Sequence, residues 1–206
     1  MIAMTMDSPL TESPTVAPGR GRPRDPEADE NILSAARTLL AKNGFEAMSF
    51  EAIAQMTGVT RPTIYRRWPT KAHLANEIAN GNGRDIPDVV ETEGLRAQIL
   101  AFLAQLMHQY ERPEMGAANA GLIVSYQRNP ELRDELHTPL ESKARADLAK
   151  ILRKARSRGL IRPAVDPDAL FDIAVGAVVF RTMFSSLPRS ETVVEDICDI
   201  VLNGID

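Results

Sequence analysis

Apolar residues recur at spacings of three and four along nearly the whole chain, and no segment alternates apolar with polar as a half-buried strand would. Ile32, Leu33, Ala36, Leu39 and Leu40 form the first stripe. Ahead of it stand Asp25, Pro26, Glu27, Asp29 and Glu30, which supply a cap, a first-turn proline and acids at the positive end of the helix dipole. Lys42-Asn43-Gly44 predicts the end of this helix. A second, short helix follows from the cap Ser49, with Phe50, Ile53 and Ala54 inward and Gly58 as the turn. Thr60 is the predicted cap of a third, which has Pro62 in its first turn and Ile64 and Trp68 facing back to the first two helices. Pro69 ends it, and Thr70 caps a fourth on which Leu74 and Ile78 continue the stripe.

Beyond NGNGRDIPD the period stays near 3.6. Leu95, Ile99, Phe102, Leu103, Leu106, Met107 and Tyr110 mark a helix up to Pro113, and Leu122, Ile123 and Tyr126 mark another up to Asn129-Pro130. A long helix runs from about Glu131 or Thr138 to Arg158, closed by Gly159, with Pro139 expected to kink or split it. Asp166-Pro167 opens the next, carrying Leu170, Ile173, Val178 and Phe180. Ser190 is the expected cap of the last, whose stripe is Val193, Val194, Ile197, Ile200 and Val201. Residues 1–19 are rich in Pro, Ser and Thr without an apolar period and read as a disordered leader. The expected organisation is therefore a leader (1–19), a small helical domain with a basic arm, RGRPR, at its start (20–80), and a larger helical domain (81–206).

Composition sharpens this picture. A chain of 206 residues, 44% hydrophobic and 25% charged, can bury one substantial core or two small ones sharing an interface. No run approaches the roughly eighteen apolar residues a membrane span needs, and no basic segment followed by an apolar block opens the chain, so no membrane partner and a cytoplasmic location are expected. The lone Cys198 excludes a disulfide framework and reads as a small buried hydrophobe. Three scattered His and no carboxylate-rich helix pair point to no metal and no cofactor.

The formal net charge is -4, but the distribution is uneven. Residues 20–80 carry nine Lys/Arg against seven Asp/Glu, whereas residues 81–206 carry fifteen against nineteen. Arg20, Arg22 and Arg24 form one tight basic group, and Arg61, Arg66, Arg67 and Lys71 form another, around the only Trp. A short helix, a Gly turn and a second short helix braced by a long one make a helix-turn-helix, whose second helix enters the major groove of DNA. With Ile64 and Trp68 anchored inward, Arg61, Pro62, Thr63, Tyr65, Arg66 and Arg67 are left to face outward or sideways. Arg61, at the N-terminal end, can pair with guanine O6 and N7, and Pro62 and Thr63 can meet a thymine methyl. Ser49, Thr63, Tyr65, Arg67 and Lys71 are candidate phosphate ligands, with Thr60 and Arg66 on the same face. The competing reading is a solvated helix face with a cation–π contact to Trp68. It leaves the coincidence of Gly turn, cap and apolar anchors unexplained.

The stretch GFEAMSFEAIAQMTGVTRPTIYRRWPTKAHL resembles the N-terminal signature of TetR/AcrR-type transcriptional regulators. The resemblance is specific over residues 26–80 and architectural beyond. It implies an all-α fold of nine or ten helices, an N-terminal three-helix helix-turn-helix domain plus a C-terminal ligand-binding and dimerisation domain, and a homodimer whose two heads occupy successive major grooves. Arg61, Pro62 and Thr63 match the base-contacting part of the family's reading helix, and Tyr65, Arg67 and Lys71 its phosphate contacts. Arg67 departs from the common His and Trp68 from the usual Phe. RGRPR is similar to arms that reach a minor groove or nearby phosphates, or is a flexible lead-in. The last two helices are expected to pair with a partner's, or else to form an ordinary internal core. An effector pocket among the middle helices would draw on Phe102, Met107, His108, Tyr110, Met115, Ile123, Tyr126 and Phe180, although such a stripe is more often plain core and His108 more often a satisfied partial-core histidine.

The expected function is a homodimeric repressor released from a palindromic double-stranded operator by a small-molecule effector. A DNA-binding activator or architectural protein without a small ligand is the alternative. An enzyme reading lacks any nucleophile–base pair, phosphate-cradling loop or metal cluster in the sequence.

Overall fold

The computed structural model describes residues 26–81, 94–161, 165–188 and 192–203. The leader, RGRPR, Asp25 and Ser190 lie outside the described residues. Among the described residues the chain is all α, in ten helices. The first four are α1 (Pro26–Ala47), α2 (Phe50–Thr57), α3 (Arg61–Arg67) and α4 (Lys71–Asn80). The other six are α5 (Gly94–Glu111), α6 (Pro113–Arg128), α7 (Pro130–Leu136), α8 (Thr138–Ser157), α9 (Pro167–Met183) and α10 (Val193–Asn203).

Local chemistry accounts for most boundaries. Gly44 leaves helical geometry (φ 76°) and breaks α1 before its final residues. The Ser49 hydroxyl accepts from the Ala52 N–H at the start of α2. At the end of α2, Gly58 takes φ 70°, where a Cβ would be strained, and its N–H reaches Ala54 O at 2.9 Å. Thr70 caps α4 through the His73 N–H, and Asp166 caps α9 through the Asp168 N–H. Thr60 stands at the predicted cap position of α3 but makes no cap bond; its hydroxyl lies 2.9 Å from the Thr63 hydroxyl instead. The Pro139 segment is split, with α7 and α8 meeting at His137.

Two apolar clusters hold the molecule. The first joins α1–α4 around Ile32, Leu40, Ile53, Ile64 and Leu74, and also takes in Met115, Ala118 and Leu122 of α6. α6 therefore belongs to the head's core as well as to the body, and α1 and α4 both pack on it. Phe45 presses so closely on Gly121 of α6 that any Cβ there would overlap its ring. The second cluster packs α5, α8, α9 and α10 around Leu103, Leu148, Leu152, Val178 and Cys198. Burial raises the Cys198 thiol above its ordinary pKa, as a small buried hydrophobe requires. On α9 the buried stripe is Leu170, Phe171, Ala174 and Val178. Ile173 and Phe180, expected inside, lie two turns apart on the opposite face and are 61% and 63% exposed.

Candidate nucleic-acid interface and internal pocket

The head presents α3 by its buried side. Ile64 is fully buried and Trp68 nearly so, and the Trp68 indole N–H donates to the Glu77 carboxylate on α4 at 2.6 Å. The ring is an anchor. Arg61, Pro62, Tyr65 and Arg66 are exposed and Thr63 is half-buried. Tyr65 is held by an edge-to-face contact with Phe50, centroids 4.7 Å apart, and stays 47% exposed. Ser49 and Thr60 flank this face and are exposed. The surface can therefore offer guanidinium, hydroxyl and apolar groups together to a large anionic partner.

Two of the predicted cations are placed differently from the expectation. The Arg67 side chain, only 14% exposed, turns back to form an ion pair with Asp29 of α1. An opposite charge on the long bracing helix draws it off the outer face. Lys71 donates from Nζ to Phe45 O at 2.9 Å and Glu46 O at 3.4 Å, and lies 4.3 Å from the centre of the Phe45 ring. The carbonyls after the Gly44 break attract its ammonium, although Phe45 O also accepts from the Met48 N–H at 3.2 Å, and Glu46 adds a carboxylate at 3.7 Å. Both side chains brace the head rather than extend from it.

The body holds a half-open pocket of about 350 Å³ between α5, α8 and α9. Phe102 and Tyr110, two of the predicted pocket residues, line it together with Leu106, Ala144, Phe171 and Val175. The others are elsewhere. Met107 is buried in the second apolar cluster. His108 is exposed and borders a polar cleft with Glu30, Arg37 and Arg112. Met115 belongs to the head's core. Ile123 is 41% exposed, and Phe180 stacks on exposed Phe184. Tyr126 packs against the head, where its hydroxyl meets Asn76 Oδ1 at 3.3 Å. These positions share the helical period but not the same face, which a single stripe does not reveal.

The polar side of the pocket was missed from sequence. Glu141 and Arg145, one turn apart on α8, enter it with His137, Gln105, Gln109 and Asp172. Arg145 Nε donates to Glu141 at 2.8 Å, Nη2 reaches Asp172 at 2.6 Å, and Nη1 reaches Asp168 Oδ1 and O at 3.3 Å. Asp172 first, then Glu141, hold this guanidinium protonated well above its ordinary range. The Glu141–Arg145 spacing was the available signal, since it shares a face with Ala144 and Leu148.

Two wall residues also touch the head. Gln109 donates from Nε2 to Ala79 O in the last turn of α4. His137 lies against Tyr126, ring centres 5.6 Å apart, and Tyr126 bonds to Asn76 of α4. A further contact joins His73 of α4 to Glu135 of α7 at 3.2 Å. Among the described residues no group of His, Cys, Asp and Glu is arranged to hold a metal, and no helix is long and apolar enough to cross a membrane.

Comparison with known proteins decides the lineage. A profile for bacterial regulatory proteins of the tetR family matches residues 32–78, and one for the tetracyclin repressor-like C-terminal domain matches residues 89–201. The chain belongs to the TetR family. It is 28% identical over 185 residues to the uncharacterized HTH-type transcriptional regulator Rv1556 of Mycobacterium tuberculosis, covering 88% of this chain and 91% of that one. It is 24% identical over 174 residues to the DNA-binding transcriptional repressor TetR of Mycobacteroides abscessus, covering 83% and 90%. Among solved structures, the TetR family transcription regulator SCO0332 superposes with a TM-score of 0.64 at 30% identity, covering 87% of this chain and 99% of that one. This TetR-family chain is accordingly a helix-turn-helix transcriptional regulator and not an enzyme.

Proposed function

We propose that this TetR-family regulator is a homodimeric repressor that reads a palindromic operator through α3 and is released by a small molecule held in the α5–α8–α9 pocket. One observation carries the DNA-reading part: the exposed Arg61, Pro62, Tyr65 and Arg66 stand on a helix whose other face, Ile64, is fully buried. Arg61, on the first turn of α3, reads a base edge, while Pro62 and Thr63 meet a neighbouring thymine methyl. Tyr65, Arg66, Ser49 and Thr60 grip phosphate oxygens and set register. Arg67 and Lys71 serve the same interface mainly from behind, by fixing α3 and α4 against α1.

The dimer reading rests on Ile173, Phe180, Phe184 and Ile200, large apolar side chains left 61–71% exposed on α9 and α10. The sign of regulation rests on the named repressor among its relatives. The release reading rests on the pocket and on Gln109 and the His137–Tyr126 pair, which join its wall to α4. A ligand that alters the position of these side chains shifts α4 and with it the spacing of the two heads. Moving the population from nearly all competent to nearly all incompetent requires discrimination of about 10⁴-fold between the two arrangements. The pocket also counts against an architectural protein without a ligand.

Fluorescence anisotropy on an operator selected from random duplexes tests the whole reading. Wild-type protein is expected to bind it with strong salt dependence and to release it when the pocket is filled. Equal affinity with and without a pocket ligand refutes the switch, and absence of binding to any duplex at low salt refutes the reader.

A further inference from the structure

The charge inventory of the pocket says what kind of molecule it takes. Arg145 is its only guanidinium, and Nε, Nη1 and Nη2 all donate already, to Glu141, Asp168 and Asp172. The face of the same guanidinium lies 4.4 Å from the centre of the Phe171 ring. An incoming carboxylate or phosphate would have to compete with Glu141, Asp168 and Asp172 for it and would stand against Glu141 and Asp172, both on the pocket wall. Two carboxylates on the wall, Glu141 and Asp172, with Asp168 behind Arg145, outnumber the one guanidinium. The acceptor side is open as well, since the side-chain oxygen of Gln105 is buried without a hydrogen-bond partner among the described residues. Of the remaining walls, Phe102, Leu106, Tyr110, Ala144, Phe171 and Val175 are apolar or aromatic, and Gln109 and His137 are polar, the His137 ring lying 3.4 Å from Glu141.

We propose that the pocket binds a lipophilic cation: an aromatic or aliphatic body against Phe102 and Phe171, with a protonated amine directed at Glu141, Asp172 and the Gln105 oxygen. This rests on the reading of the pocket as the effector site and adds the chemical class of the effector. Charge selects here because the apolar body fits the walls whatever its head group, whereas only a cationic head matches the acceptors.

Three probes with one skeleton separate these contributions: 4-phenylbutylammonium, 4-phenylbutanol and 4-phenylbutanoate, each titrated calorimetrically into the full chain. The ammonium is expected to bind at least about tenfold more tightly than the carboxylate, with the alcohol between. Glu141→Gln is expected to shrink that preference severalfold, with the alcohol affected less than the ammonium. Gly176 lines the same pocket and a Cβ added there meets nothing within 4 Å, so Gly176→Leu is expected to fill the cavity, with an unchanged far-UV circular dichroism spectrum and unfolding midpoint as the check on the fold. That variant should lose all three probes. Carboxylate binding as tightly as ammonium, with both lost in Gly176→Leu, overturns the cationic class and leaves the pocket reading standing. Binding of none, or binding that Gly176→Leu does not alter, overturns the pocket reading and the class together.

Discussion

The head and the body use the same raw material, short amphipathic helices, in opposite ways. In the head most large apolar side chains of α1–α4 are buried, from Ile32 to Ile78, with Met56 exposed on α2, and the outer face of α3 is left to Arg61, Pro62, Tyr65 and Arg66. The body packs less completely. It keeps a pocket between α5, α8 and α9 and leaves Ile173, Phe180, Phe184 and Ile200 exposed on α9 and α10. The head is thus a fixed shape and the body a surface with room to change. The two are joined through α6, whose Met115, Ala118 and Leu122 sit in the head's core.

The contrast predicts a graded series of responses. Ile64→Ala, at a fully buried site, should cost about 2 to 5 kcal/mol in denaturant unfolding and abolish DNA binding. An unchanged midpoint would show that the head tolerates a void, contrary to this comparison. Arg67→Ala should cost about 1 to 3 kcal/mol, because Asp29 is left partly buried without its cation. A double-mutant cycle with Asp29→Ala that gives no coupling would return Arg67 to the outer surface. Gly121→Ala should cost about 1 to 3 kcal/mol through overlap with Phe45, and should loosen the head from α6 in hydrogen exchange. Phe180→Ser should leave unfolding of the single chain within about 0.5 kcal/mol. Sedimentation equilibrium should nonetheless move toward the monomer, and an unmoved equilibrium would remove Phe180 from the contact between copies.

The head was largely legible in the sequence because its boundaries are written in local chemistry. Ser49 and Thr70 cap by their own hydroxyls, Gly58 supplies the left-handed residue, and Ile64 with Trp68 fixes which side of α3 is buried. What escaped was the fate of individual cations. Arg67 and Lys71 look like Arg61 and Arg66 in sequence, yet Asp29 and the carbonyls of Phe45 and Glu46, distant along the chain, claim them. The body was legible as helices but not as a site. A 3.6-residue apolar period says that a face is buried, not whether it meets core, pocket or partner, so Met107, Ile123 and Phe180 were indistinguishable from Phe102 and Tyr110. The pocket's polar side was harder still, since Asp172 and Arg145 come from different helices that meet only on folding.

The central claim is that the outward face of α3 reads base sequence. Selection of bound duplexes from a random pool, run in parallel with wild-type protein and Arg61→Ala, tests it most directly. The account predicts a palindromic consensus for the wild type. For the variant it predicts loss of preference at one base pair per half-site, worth ~1 to 3 kcal/mol, with the other positions retained. An identical consensus from both proteins, or recovery of no consensus at all at low salt, would contradict it.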